Sequence, residues 1–94
     1  MTTTRQQLEN LIDRFMKGKV FADEMARELR SVLRAHGDAN FRERITSALS
    51  HTDIYCSPRK ADRYGGVEKV RAMLLQDLTS AAHRAGQLRG DDTR

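Results

Sequence analysis

The sequence predicts an all-α protein, a small antiparallel bundle of about four helices that forms one domain over residues 1–94. Apolar residues recur at spacings of three and four in four stretches, as they do on the buried face of an amphipathic helix. No stretch alternates apolar and polar residues for long enough to indicate a strand. Short connections between the first three stretches favour antiparallel neighbours.

The first two helices are predicted over residues 4–17 and 22–36. The first follows threonines that can cap it, and Gly18 stands where a helix C-terminus favours a left-handed residue. The second begins with Asp23 and Glu24, whose carboxylates complement the positive end of the helix dipole. We expect these two helices to pack as an antiparallel hairpin, because the connection between them is short.

The remaining two helices are predicted over residues 39–50 and 67–85. Asp38 is a suitable N-cap for the first of them. A loop over residues 51–66 separates the two helices, because it contains the only proline and ends in a glycine pair. Residues 86–94 lose the helical pattern and are predicted to form a flexible tail.

The predicted core collects the large apolar residues of the four helical faces. A core of this size can support a monomer, and dimerisation is compatible with it. The predicted core residues are Leu8, Leu11, Ile12, Phe15, Met25, Leu29, Val32, Leu33, Phe41, Ile45, Leu49, Val70, Leu74 and Leu78.

Composition excludes several classes of protein. One cysteine cannot form an internal disulfide or a cysteine-rich zinc site, and the three histidines lie far apart, so we expect no metal and no cofactor. No apolar run approaches the roughly 20 residues of a membrane span, and the first residues lack the apolar core of a secretory signal. We therefore expect a cytoplasmic protein without membrane contacts, either a monomer or a homodimer.

Cys56 is the candidate nucleophile, and His51 precedes it closely. A catalytic thiol needs an imidazole within hydrogen-bond reach and a third group that orients the imidazole. The sequence around Cys56 contains no oxyanion-hole glycines and no evident third group. We therefore expect no enzymatic activity, and we expect Cys56 to pack as a small, half-buried apolar residue.

The predicted loop combines the features of a protein-binding surface. Loops on a rigid scaffold commonly carry binding residues, and a proline limits the entropy that is lost on association. Tyrosines beside charges of both signs are typical of binding hot spots. We expect the two tyrosines to be anchors, although the first of them can instead pack beneath the loop. The predicted partner-binding residues are Asp53, Tyr55, Arg59, Lys60, Asp62, Arg63 and Tyr64.

The second helix offers an alternative basic face formed by Arg27, Arg30 and Arg34. Arg27 has Asp23 and Glu24 one turn earlier, so we expect it to be paired within the helix. Arg30 and Arg34 have no such acid and can bind phosphate or carboxylate groups in a bidentate manner. The formal net charge of +4 favours acidic partners, which makes nucleic acid the alternative partner.

Four segments resemble a known family. Leu11–Gly18 and Lys19–Met25 are similar to the opening of the bacterial self-protective, colicin-D-immunity-like proteins. Asp53–Pro58 and Val67–Leu75 are similar to the closing loop and final helix of that family. The resemblance implies a small antiparallel four-helix protein that binds a nuclease toxin, covers its active site and catalyses nothing itself.

Inhibitors of RNA-cleaving toxins tend to be acidic because they occupy a basic cleft, whereas this chain is basic. Either the target differs, or Asp53, Asp62 and Glu68 form a local acidic patch. The sequence thus favours a non-catalytic immunity protein or inhibitor that blocks a toxin or another protein. The alternatives are a basic helical nucleic-acid-binding or regulatory protein, and a helical adaptor or phage-type inhibitor of a larger complex.

Overall fold

A computed structural model describes residues 3–34 and 36–88 of the chain. About four fifths of these residues are helical, and none of them lies in a strand. The all-α fold that the sequence predicts is therefore confirmed, with one short helix more than expected. The helices are α1 (Thr4–Met16), α2 (Ala22–Leu33), α3 (Ala39–Tyr55), α4 (Pro58–Asp62) and α5 (Val67–Gln87).

The predicted caps of α1 are present in the structure. The hydroxyl of Thr3 accepts a hydrogen bond from the backbone N–H of Gln6, and the Gln6 side chain accepts one from the backbone N–H of Thr3, both at 3.1 Å. Each side chain thus pairs a donor that a helix N-terminus leaves free. At the other end Gly18 has a φ of 68°, which a glycine adopts without strain.

The long helix α5 is central, because α1 and α3 both pack along it. Neighbouring helices run in opposite directions. Arg71 near the start of α5 lies over the ring of Phe15 near the end of α1, and Asp38 at the start of α3 binds Arg84 near the end of α5. The helix α2 packs on another side of α3, which completes an antiparallel bundle.

The predicted hairpin of α1 and α2 has the expected antiparallel direction, but its helices pack mainly on other neighbours. The helix α1 packs mainly against α5 and α2 mainly against α3, and side chains make the contacts between α1 and α2. What joins α1 to α2 is Arg14, which donates to Glu24 at 2.9 Å and to the two oxygens of Glu28 at 2.7 and 2.6 Å. The hydrogen bond to Glu28 is the main cause that raises the pKa of Arg14. An ion pair therefore joins two helices whose apolar faces are buried on other neighbours.

Most of the predicted core is buried. Ile12, Leu33 and Leu49 are only partly buried and pack against the edge of the core. Alanines complete the core, since Ala48 of α3 and Ala81 of α5 are fully buried, and small side chains allow helices to approach closely. The predicted residues that are buried are Leu8, Leu11, Phe15, Met25, Leu29, Val32, Phe41, Ile45, Val70, Leu74 and Leu78.

The helix α3 is longer than predicted, because it continues through Tyr55 into the region that was expected to be the loop 51–66. Thr52 lies in this extension and is buried. Its hydroxyl donates to the carbonyl of Ala48 at 2.7 Å, so the buried hydroxyl keeps a hydrogen-bond partner. The local sequence is polar here, and packing against the rest of the bundle stabilises the extra turn.

The short helix α4 occupies the middle of what remains of the predicted loop. Pro58 is its first residue, a position whose N–H has no acceptor within the helix, so that proline loses no hydrogen bond there. Ser57 before it is extended, as residues before proline usually are. Ala61 is fully buried between α3 and α5. After α4 the chain turns back through Gly66, whose φ of 105° requires a glycine and whose N–H donates to the carbonyl of Ala61 at 2.9 Å.

Two further helix ends differ from the predictions. The helix α2 ends early, at Leu33. Arg42 of α3 donates to the Leu33 carbonyl at 3.0 Å and so pairs one of the acceptors that a helix C-terminus leaves free. The helix α5 continues to Gln87, which is within the predicted tail 86–94. Residues 89–94 of that prediction lie outside the described residues.

Asp38 has two roles at the start of α3. It caps the helix by accepting the backbone N–H of Phe41 at 2.9 Å, as predicted. It also accepts two hydrogen bonds from Arg84 of α5, at 2.9 and 3.0 Å. The hydrogen bonds that Asp38 accepts from Arg84 and from the backbone N–H of Phe41 lower its pKa from 3.8 to about 2.

The depressed pKa of Asp38 predicts a specific acid sensitivity. A carboxylate whose pKa is lower in the folded state stabilises the protein above its unfolded pKa, and it loses this contribution as the pH falls through the folded pKa. The window therefore extends from about pH 4 to about pH 2. In Asp38→Asn, which keeps a capping side chain but no charge, we expect stability to fall less across this window than in the parent. Urea denaturation at several pH values measures the difference.

Arg84→Gln is the complementary variant for this pH dependence, because it removes the guanidinium and leaves the carboxylate of Asp38 in place. It should reduce the loss of stability between pH 4 and pH 2 as Asp38→Asn does, since the Arg84 hydrogen bond is the largest cause of the depressed pKa. Equal acid sensitivity of the parent and both variants would show that the Asp38–Arg84 pair contributes nothing to the pH dependence.

Candidate interaction surface

One end of the bundle collects the predicted binding segment and the connection between α1 and α2. Because neighbouring helices are antiparallel, α1 and α3 end here, and α2 and α5 begin here, with α4 between them. We call residues 16–22 and 53–67 together the α4 end. This end brings together two segments that are far apart in the sequence, of which only residues 53–64 were predicted to bind a partner.

The exposed large apolar side chains of the described residues all lie at the α4 end. They are Met16, Phe21 and Tyr64, which are 57%, 82% and 46% exposed. Single exposed apolar residues are ordinary on a protein surface, whereas their concentration in one region is typical of an interaction site. The structure therefore distinguishes this end of the bundle from the rest of its described surface.

An apolar groove of about 220 Å³ opens at the same end. It lies between α1 and α2, and it reaches down to α3 and α5. Phe15 and Tyr55 meet edge to face at its base, with ring centres 5.6 Å apart, and Phe21 forms part of its wall. The residues that line it are Phe15, Val20, Phe21, Ala22, Met25, Thr52, Tyr55, Cys56 and Leu74.

The two tyrosines that were predicted as anchors occupy different environments. Tyr55 is half-buried and packs on Phe15, which matches the alternative in which it supports the surface from beneath. Tyr64 follows α4 and is exposed. Of the two, Tyr64 is the side chain with more surface left to bury against a partner.

The charged residues predicted at this surface are exposed and carry both signs. Lys60 donates to Asp53 at 3.0 Å, so these two side chains neutralise each other. Arg59, Asp62 and Arg63 are also exposed. The acidic patch considered from the sequence is thereby weakened, because one of its members is already paired with a lysine.

Met16 and Phe21 were not among the predicted site residues. Phe21 immediately precedes α2 and is the N-cap residue, although it makes no capping hydrogen bond through its side chain. The signal that could have identified it is its position, because a phenylalanine just outside a helix belongs to neither apolar face. Only the structure shows that it lies beside the groove.

Among the described residues, Cys56 and His51 are bound to other partners and not to each other. The Cys56 thiol donates to the carbonyl of Thr52 at 3.0 Å, and His51 binds Asp77 of α5 through its Nδ1 atom. Cys56 is exposed rather than half-buried as expected, yet desolvation by its neighbours raises the pKa of its thiol, and the carboxylate of Asp53 raises it further. The thiolate form that nucleophilic chemistry requires is therefore disfavoured.

The described residues hold no group of three or more histidine, cysteine, aspartate or glutamate side chains that could bind a metal ion. Among the helices over residues 3–34 and 36–88, none is both long and apolar enough to cross a bilayer.

The alternative basic face on α2 differs from the expectation in one respect. Arg27, Arg30 and Arg34 are all exposed, as predicted, but Arg27 forms no ion pair with any residue that the structure describes. Glu24, its expected partner within the helix, binds Arg14 of α1 instead. A competing partner on another helix explains the loss of Glu24. Asp23, the other expected partner, is exposed and forms no ion pair with Arg27.

Comparison of the chain with protein-family models, with curated proteins and with solved structures finds no match.

Proposed function

We propose that the protein is a non-catalytic inhibitor of another protein and that it binds its target through the α4 end. The observation that carries the proposal is the exposed ring of Phe21, which forms part of the wall of an apolar groove. Met16 and Tyr64 are exposed at the same end of the bundle. Water is displaced from such a surface when a partner covers it, and this displacement is the main favourable term in most protein association. Phe21 is the leading anchor because most of its ring is exposed in the free protein.

The surroundings of these apolar residues support a protein partner. Protein interfaces combine an apolar centre with a polar rim, and aromatic residues and arginine are enriched in them. Arg59, Asp62 and Arg63 supply both signs of charge around Tyr64. Charges of both signs orient a partner and discriminate against wrong ones more than they add affinity.

The class of target draws on the resemblance to the colicin-D-immunity-like proteins. That resemblance includes Lys19–Met25 and Asp53–Pro58, and these segments contribute Phe21 and Tyr55 to the groove. A toxin inhibitor needs only to cover the active site of its target, so it requires no catalytic residue of its own. The proposed target is accordingly a toxin, or another enzyme that the chain blocks by occupying its substrate cleft.

Site-specific photocrosslinking in the native host tests this proposal. Phe21 is replaced by benzoylphenylalanine, which retains an aromatic ring, and a matched chain carries the same group at Glu43, an exposed residue near the start of α3. We expect one protein to be crosslinked from position 21 and not from position 43. The purified protein should then lose its activity when the parent chain is added.

Two results would contradict the proposal. One is a crosslinked product that forms equally from both positions, because contact would then not depend on the α4 end. The other is a crosslinked protein whose activity is unchanged at saturating concentrations of the parent chain, because binding without inhibition would favour the adaptor alternative.

A further inference from the structure

The outer face of α2 carries a stripe of three exposed arginines. Arg27, Arg30 and Arg34 are spaced by three and four residues, so they project from the same side of the helix, opposite the buried Met25 and Leu29. All three are exposed, and none forms an ion pair within residues 3–34 and 36–88. The stripe faces away from the core and plays no part in packing.

The structure explains why the stripe is not neutralised by its own helix. Two glutamates of α2 lie within one turn of these arginines, and both are bound by Arg14 of α1. Arg14 donates to the two carboxylate oxygens of Glu28 at 2.7 and 2.6 Å and to one oxygen of Glu24 at 2.9 Å. It thereby draws Glu24 and Glu28 toward α1. Asp23, one turn before Arg27, is exposed on the outer face and is not bound by Arg14, so this face carries three arginines and one aspartate.

A fourth guanidinium extends the positive surface at its C-terminal end. Arg42 of α3 donates to the carbonyl of Leu33, which places its charge at the C-terminal end of α2. The stripe also lacks an apolar centre, because the exposed large apolar residues of the described chain lie at the α4 end. Protein interfaces use such a centre, whereas contacts with phosphate groups are electrostatic and need none.

We propose that the outer face of α2 binds the phosphate backbone of a nucleic acid through Arg27, Arg30 and Arg34. Arginine binds phosphate oxygens in a bidentate manner and remains charged at every physiological pH. The stripe extends over eight residues, Arg27 to Arg34, with an axial rise of about 10 Å, which is close to three phosphate-to-phosphate steps on one strand of B-DNA. The net charge of +4 adds a favourable long-range field.

This inference is independent of the α4 end, since the stripe lies on a different surface. Backbone contacts carry no base sequence information, so we expect binding to duplexes of unrelated sequence with similar affinity. Three phosphate contacts predict that affinity falls about 40-fold when the salt concentration rises from about 50 to about 200 mM, because each contact releases bound counterions.

The test measures fluorescence anisotropy of a labelled DNA duplex at several salt concentrations, with the full chain as the binding protein. The test variant is Arg30→Ala with Arg34→Ala. The matched control is Arg59→Ala with Arg63→Ala, which removes the same charge from exposed positions at the α4 end. We expect the test variant to flatten the dependence of log affinity on log salt by about two thirds, and the control to leave it unchanged.

Each other outcome overturns the proposal. Absence of binding at the lowest salt concentration would exclude a backbone contact, and equal losses in the two double variants would show that only net charge matters. Equal binding of polyglutamate by the same arginines would indicate an acidic protein partner instead. Circular dichroism of both variants verifies that they are folded, so that a loss of binding cannot be ascribed to unfolding.

Discussion

Replacing Phe41 by alanine should destabilise the protein by about 3–5 kcal/mol, the usual cost of removing a buried phenylalanine side chain. Phe41 is fully buried, and it lies in the first turn of α3, where its backbone N–H is capped by Asp38. Removing its ring leaves a cavity and also removes the edge-to-face contact with His36, whose ring centre is 5.4 Å away. Small domains have a total stability of about 5–15 kcal/mol, so the loss is a large fraction of the whole.

Phe21→Ala is the matched control, because the same side chain is removed from a position that is 82% exposed. A surface substitution of this kind changes stability by about 0.5 kcal/mol or less. The midpoint of thermal unfolding should therefore fall by about 12 °C or more in Phe41→Ala and hardly at all in Phe21→Ala. Similar midpoints for the two variants would mean that Phe41 is not part of a packed core.

The second large effect concerns affinity for the protein partner. Phe21→Ala and Tyr64→Ala should each weaken binding at least about 30-fold, which corresponds to the loss of about 2 kcal/mol typical of an interface hot spot. The physical reason is that each ring would be buried by the partner and becomes a void in the complex when it is truncated. Isothermal titration calorimetry with the crosslinked partner, once purified, measures both variants.

The control for this experiment is Glu43→Ala, which changes an exposed residue at the opposite end of the bundle. It should leave the affinity unchanged. Unchanged affinity in Phe21→Ala and Tyr64→Ala, together with loss of binding on substitution of Arg30, would move the protein-binding site to the outer face of α2. Because Phe21→Ala also serves as the stability control, a loss of binding in that variant cannot result from unfolding.

The candidate site was predictable in part. Tyr64, Arg59 and Arg63 were identified from sequence alone because tyrosine and mixed charges beside a proline are typical of binding segments, and all three are exposed. Phe21 was not identified, although it is the most exposed of the large apolar residues described. Its proximity to the groove depends on which helices α1 and α2 pack against, and the short connection between α1 and α2 does not determine these packing partners.

The positions of α1, α2 and α5 and most of the buried residues were determined by the sequence itself. In these helices the apolar residues recur with the helical period, and burial of such a face is the dominant favourable term in folding. The N-cap roles of Thr3 and Asp38 were equally local, since a capping side chain binds a backbone N–H three residues away.

Only the tertiary structure decided the length of α3, the existence of α4 and the pairing of the charged residues. Thr52 is buried in a polar stretch because α3 packs there against the rest of the bundle. The helix α4 has one fully buried residue, Ala61, and no periodic pattern of apolar residues predicts this helix. Arg14 binds glutamates of another helix, and Arg27 forms no ion pair with any residue that the structure describes. In each case the deciding contact is made with another helix, and the periodic pattern of apolar residues does not indicate it.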